Sequence, residues 1–214
     1  YLLTDYLNRF GSKHNAEIYK GGMDKNIITE NFLKQGYSTK YISLNKIDFR
    51  EDNWKDSIIL YSSQEDVGYY YKSYIEDIIY GLELTGAITI PNFKFLKANN
   101  NKVFMEILRD LIPLEEMKNL VAQHYGTLEE ALHDSNDYLY PLVIKGAEGA
   151  MSTSVALANN EKELKQTIKK LAATRNCKEE SREYIRSKKY PGYQKQSKYR
   201  RKFIIQKFLP GLNN

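Results

Sequence analysis

The sequence predicts an α/β protein in two parts, and three observations carry this prediction. Short apolar runs alternate along the chain with amphipathic stretches, as strands and helices do in α/β folds. The length of 214 residues suffices for one ordinary domain or two small ones. With 42% hydrophobic and 28% charged residues the composition is globular, and no apolar run reaches the roughly 18 residues that a membrane span needs. We expect a small doubly wound parallel sheet over residues 1–95, followed by an α+β lobe over 96–214.

The first part has the order strand, helix, strand, strand, helix, strand. Leu2 and Leu3 end a buried strand, and residues 23–35 place apolar side chains along one face of a helix that Gly36 terminates. Further strands are predicted at 37–44, 57–63 and 87–90, with a helix over 70–84. This order is typical of a small doubly wound sheet.

The second part begins with helices and then changes character. Helices are predicted over 101–111, 114–124, 127–133 and 161–171, and strands over 138–145, 155–157 and 202–208. Small residues fill the loop 146–154 between the first two of these strands. The pattern predicts a lobe in which helices cover a separate sheet.

Positive charge is concentrated in one segment, although the whole chain has a net charge of +5. Residues 175–202 contain eleven Lys or Arg against three Glu, a net of +8 that leaves −3 for the rest of the chain. Basic and aromatic residues interleave here, which would suit an anionic substrate or a nucleic-acid strand. A solvated helix and flexible loop is the alternative that we favour. The abundance of Lys, Asn and Ile and the 18 Tyr indicate a biased, bacterial-like composition.

The cysteine and histidine content bears on the compartment and on metal binding. The single cysteine, Cys177, cannot form an internal disulfide, and no export signal is visible, so we expect a cytoplasmic protein. The three histidines have no spacing typical of a metal site. No nucleophilic Cys/His or Ser/His arrangement is recognisable.

The chemistry is indicated by Lys145, at the end of an apolar strand, and by the loop that follows it. Small side chains let backbone N–H groups approach phosphate oxygens, hydroxyls add donors, and a lysine supplies positive charge. An ordinary hairpin turn is the other interpretation. The loop is not a P-loop, because no Gly-Lys-Ser or Gly-Lys-Thr closes it, and no Gly-x-Gly-x-x-Gly follows the first strand.

Two motifs follow one another in the second part of the chain. The first runs from Pro141 through apolar residues to Lys145 and into the Gly-rich loop, and the second is the apolar strand that leads from Phe203 to Gly211. In this order they resemble the ATP-grasp superfamily, in which the second strand forms the adenine hinge. The resemblance implies a pre-ATP-grasp domain at 1–95 and an N-terminal ATP-grasp lobe at 96–214, with a basic insertion at about 174–202. With Lys102 included, the matching positions span residues 102–211.

The resemblance implies an ATP site, assigned residue by residue. Lys102 and Lys145 would contact phosphate, and Gln206, where the family often has Glu, would face the adenine amino group. The backbone of Lys207 and the amide of Leu209 would read the adenine edge, with Phe208 packed nearby. The loop and ribose contacts would come from Gly149, Ala150, Met151, Ser152, Thr153, Ser154 and Asn213, or Asn214 in place of Asn213.

The resemblance also implies the activity, a ligation in which a carboxylate takes the γ-phosphate of ATP and an amine or similar nucleophile then displaces phosphate. The partners would be ATP and a small-molecule or peptide carboxylate, with neither a membrane nor nucleic acid expected and a homodimer left open. We expect the Mg²⁺ ligands in a C-terminal lobe beyond Asn214, and no turnover by this chain alone. Catalytic residues cannot be named. A non-catalytic nucleotide-binding module and a nucleic-acid-binding protein using the segment 175–202 remain as alternatives.

Overall fold

The computed structural model describes residues 1–11, 22–50, 53–63, 68–114, 122–149 and 154–210. The chain divides into two compact units, Tyr1–Lys97 and Ala98–Asn214. Within the described residues, no helix is long and apolar enough to cross a membrane. The predicted fold class, a parallel α/β sheet followed by an α+β lobe, is confirmed.

The first unit is built on a four-stranded parallel sheet of order β2-β1-β3-β4. Its strands are β1 (Leu2–Thr4), β2 (Tyr41–Ser43), β3 (Ile58–Leu60) and β4 (Ile88–Ile90), and its helices are α1 (Lys25–Lys34), α2 (Tyr70–Leu84) and α3 (Phe93–Ala98). From β1 the chain crosses to one edge, and from β3 it crosses to the other. Because right-handed crossovers in opposite directions place their helices on opposite faces, the order is that of a doubly wound sheet.

Burial and capping explain the local structure of this unit. Helix α2 buries Ile75, Ile79 and Leu82, at three- and four-residue spacing, against Ile59 of β3. Its neighbour α3 begins where the Glu83 carboxylate accepts hydrogen bonds from the backbone N–H of Phe93, at 2.6 Å, and from the Thr89 hydroxyl. An acidic side chain at the end of one helix therefore fixes the start of the next.

The second unit contains an antiparallel sheet of order β5-β8-β6-β7. The strands are β5 (Ala122–Tyr125), β6 (Leu142–Gly146), β7 (Val155–Ala158) and β8 (Phe203–Lys207). The helices are α4 (Lys102–Asp110), α5 (Leu128–His133), α6 (Glu161–Leu171) and α7 (Cys177–Lys189). Helices α5, α6 and α7 begin at the capping side chains of Thr127, Asn160 and Asn176.

One face of this sheet forms the core. Ile144, Phe203 and Ile205 point to that face and are at most 2% exposed, together with Leu164 and Ile168 of α6. The opposite face carries the alternate residues of the same strands. The opposite face is mixed, since it carries Lys145 and Gln206 together with Ile204, which is 1% exposed.

Two elements differ from the sequence prediction. The helix predicted over 114–124 is wrong at its C-terminal end, since Ala122–Tyr125 forms β5 and pairs with β8, with Ala122 opposite Gln206. Residues 115–121 lie outside the described part. Helix α3 was not predicted, because its 6 residues are too few to show a helical period.

Burial of Ile168 predicts a large stability loss on truncation. Ile168→Ala removes methylenes from a side chain that is 0% exposed, and we expect a loss of about 2–5 kcal/mol in the free energy of unfolding, measured by urea denaturation. The control is Ile185→Ala in α7, where the side chain is 61% exposed and the change should stay within about 0.5 kcal/mol. Equal losses in the two variants would contradict the assigned core.

Candidate phosphate-binding site

The face of the second sheet that lies opposite its core brings together two residues that the sequence analysis named. Lys145 of β6 lies opposite Ile204, and Gln206 of β8 lies opposite Val143. Residues directly opposite share a face and so do residues two apart along a strand, which places Lys145 and Gln206 on the same side. Val155 and Leu157 of β7 flank them on this face, 38% and 44% exposed. Polar and exposed apolar side chains therefore share this face, a combination that small-molecule sites use.

Helix α4 brings Lys102 to this region. The backbone N–H of Lys102 donates to the Ala147 carbonyl at 2.9 Å, and its ammonium donates to the Gly149 carbonyl at 2.8 Å. Burial and then repulsion from Lys145 hold the pKa of Lys102 below the ordinary lysine value. The two ammonium groups are therefore close enough to repel, and an anion between them would relieve that repulsion.

The Gly-rich loop is closed at its base. Gly146 N–H donates to the Ser154 carbonyl at 2.8 Å, and the Ser154 hydroxyl donates to the Glu148 carbonyl at 2.9 Å. A side chain at Gly146 would place its Cβ 3.1 Å from that of Ser154, which is why the smallest residue suits this position. Gly149 has a φ of +108°, a conformation that L side chains rarely adopt. The predicted contacts Ala150, Met151, Ser152 and Thr153 lie outside the described residues.

Gln206 is held by a side chain that the sequence analysis missed. Its Nε2 donates to Oε1 of Glu106 at 3.2 Å, and Glu106 is also paired with Arg109. A carboxylate only accepts, so the amide nitrogen must face Glu106 and the amide oxygen must face away from it. The signal was present in the sequence, since Lys102, Glu106 and Arg109 follow at helical spacing on α4.

The predicted hinge residues lie at the end of β8. Phe208 N–H donates to the Pro141 carbonyl at 3.3 Å, which ties the hinge to the start of β6. Within the described part of the chain, no hydrogen-bond partner of the Leu209 amide is seen. Lys207 is the exposed last residue of β8, and the predicted ribose contacts Asn213 and Asn214 lie outside the described residues.

Comparison with known proteins adds a likeness of structure. No protein-family model matches the sequence, and no curated protein matches it in sequence. Solved structures do match. The RimK domain protein ATP-grasp from Sphaerobacter thermophilus is 12% identical with a TM-score of 0.43, and the match covers 98% of this chain and 65% of that one. The chain is similar to solved ATP-grasp proteins.

Two further structures extend this likeness. The ATP-grasp ligase PsnB, solved with a minimal precursor, is 11% identical with a TM-score of 0.43, over 97% of this chain and 64% of its own. The D-cycloserine synthetase DcsG is 10% identical with a TM-score of 0.46, over 97% of this chain and 58% of its own. The chain thus spans about three fifths of the length of these proteins.

The described residues also bear on metal binding. No group of three or more His, Cys, Asp or Glu side chains in the described ranges is placed to hold a metal ion. The Mg²⁺ that the resemblance implies therefore finds no ligand set there.

The depressed pKa of Lys102 predicts a pH dependence of anion binding. Only the protonated amine attracts phosphate, so affinity for tripolyphosphate should be full below the pKa of Lys102 and should decline as the pH rises through it, below the range of an ordinary lysine. Lys102→Arg, which stays charged, should bind without this decline. Isothermal titration calorimetry between pH 7 and pH 10 measures both, and an identical decline in the variant would refute the assignment.

Proposed function

We propose that this chain forms the nucleotide-binding part of an ATP-dependent ligase that joins a carboxylate to an amine or a similar nucleophile. The observation that carries the proposal is the meeting of Lys102 with the Gly-rich loop, at 2.8 Å from the Gly149 carbonyl, beside Lys145. Two lysines and a loop of small residues on an otherwise apolar face suit a polyphosphate joined to a flat, apolar base. The family resemblance of the motifs supplies the reaction type.

The chemistry proposed for the lysines is electrostatic. A carboxylate would attack the γ-phosphorus of ATP, ADP would leave, and the resulting acylphosphate would be attacked by the nucleophile with release of phosphate. Charge accumulates on the phosphoryl oxygens during the first transfer, and positioned cations stabilise it. Lys102 and Lys145 are fixed by a helix start and by a strand, so they need little reorganisation to do this.

The base would be read by Gln206. With its amide nitrogen occupied by Glu106, the amide oxygen is left as an acceptor, which matches the 6-amino donor of adenine and not the 6-oxo acceptor of hypoxanthine. The substitution of Gln for the family's usual Glu therefore keeps an acceptor in place. A cytoplasmic enzyme with a small-molecule or peptide carboxylate as its second substrate fits this proposal.

Removal of the Lys145 charge tests the proposal. We expect Lys145→Ala to weaken binding of a non-hydrolysable ATP analogue to this chain at least tenfold, measured by calorimetry, since charge-assisted hydrogen bonds to phosphate contribute about 1.5–3 kcal/mol. Lys165→Ala on the exposed side of α6 removes the same charge from the same unit and should leave affinity unchanged. Absence of binding by the unchanged chain, or equal effects of the two substitutions, would refute the proposal.

Glu106 provides a separate prediction about base selectivity. Glu106→Leu frees the Gln206 amide to rotate, so the preference for ATP over inosine triphosphate should fall about tenfold, mainly through tighter binding of the inosine nucleotide. Glu129→Leu removes an exposed carboxylate from α5 and should leave the ratio of the two dissociation constants unchanged. An unaltered ratio in Glu106→Leu would show that Gln206 does not read the base.

A further inference from the structure

Residues 174–198 form an excursion from the second unit whose two ends are held together. Thr174 N–H donates to the Lys198 carbonyl at 3.0 Å, and Arg201 N–H donates to the Ala172 carbonyl at 3.1 Å. Between these bonds Ala173 and Tyr199 form an isolated antiparallel bridge. The chain therefore leaves and re-enters the second unit at one place, which we call the neck. The excursion contains helix α7, none of whose residues is buried.

Two of the three acidic side chains of α7 form ion pairs inside the excursion, and the third, Glu179, caps the start of the helix. Glu180 pairs with Arg175 and Lys195. Glu183 forms ion pairs with Arg175 and Arg186, each at 3.1 Å, and accepts a hydrogen bond from the Tyr193 hydroxyl at 2.7 Å. These contacts tie one side of the helix to the segments before and after it. Its other side is left facing solvent.

That other side is basic. At about 100° per residue, Lys178, Arg182, Ile185 and Lys189 fall within an arc of roughly 60°, away from Glu180 and Glu183. All four are exposed, Ile185 to 61%. The structure shows no ion pair of Lys178, Arg182 or Lys189 with any residue that it describes. We call Lys178, Arg182 and Lys189 the basic face.

We propose that the basic face binds the phosphodiester backbone of a single-stranded nucleic acid. The segment 175–202 carries a net charge of +8, which matches a polyanion. Exposed tyrosines adjoin the lysines: Tyr184 is 57% exposed with Lys188 Nζ 5.6 Å from its ring centre, and Tyr190 is 52% exposed with Lys189 Nζ at 5.5 Å. Such rings stack on unpaired bases, which an acidic polypeptide does not offer. This interaction is independent of the nucleotide site.

Fluorescence anisotropy with labelled 20-nucleotide single strands of mixed sequence tests the proposal over a range of salt concentrations. We expect K178A/R182A/K189A to weaken binding about tenfold or more and to reduce the slope of log affinity against log salt by about 2, since each phosphate contact contributes roughly 0.7. K162A/K165A/K169A on α6 removes the same charge from exposed positions of the same unit and should change neither quantity appreciably. Tyr184→Ala should weaken binding about fivefold or more with an unchanged slope.

Three results would overturn the proposal. The first is the absence of binding at 50 mM salt, and the second is an equal loss of affinity in the two triple variants. The third is that polyglutamate of equal charge binds more tightly than the oligonucleotide and that Tyr184→Ala has no effect on binding. That result would assign the basic face to an acidic protein. The charge-preserving K178R/K189R should retain both affinity and slope, which separates loss of charge from loss of structure.

Discussion

The candidate site depends on the antiparallel pairing of β6 with β8. Their register runs from Leu142 opposite Lys207 to Gly146 opposite Phe203. A slip of one residue would turn Gln206 into the core and expose Ile205 in its place. Burial of Ile144, Phe203 and Ile205 opposes that slip, so the hydrophobic effect on one face determines which polar groups occupy the other. Burial of one face therefore determines which side chains lie on the opposite face.

Helix α4 complements this pairing from outside the sheet. Its first residue is bonded through the backbone to Ala147, and one turn later Glu106 reaches β8. The helix therefore holds a cation at the loop and a carboxylate at the hinge strand at a fixed spacing of about 6 Å along its axis. A single helix therefore positions both groups.

Much of this organisation follows from local sequence patterns. The helices over 70–84 and 161–171 were predicted with the bounds that the structure has, because both have a long apolar period and Asn160 caps the second. Lys145 and the loop could be proposed from residue type and order, whereas Lys102 was proposed only from the resemblance to the ATP-grasp superfamily. Their roles in nucleotide binding stay predictions.

What the sequence did not reveal depends on partners that are distant in the chain. Residues 122–125 continue an amphipathic stretch, and only pairing with β8, some 80 residues later, makes them a strand. Glu106 looks like an ordinary helix-surface acid until Gln206, 100 residues away, is brought to it. The solvated helix favoured for the basic segment exists as α7, but its separation into an acidic and a basic side becomes meaningful only when the return segment is seen to bind the acids.

The narrow neck of the excursion has an evolutionary consequence. A backbone hydrogen bond from Thr174 to Lys198 holds the two ends of the excursion together. The chain between them can therefore lengthen, shorten or change composition without altering the register of the sheet that follows. Mutations in the excursion can therefore be selected independently of the hinge strand and of the two lysines. Divergent relatives would be expected to differ most in length at this point.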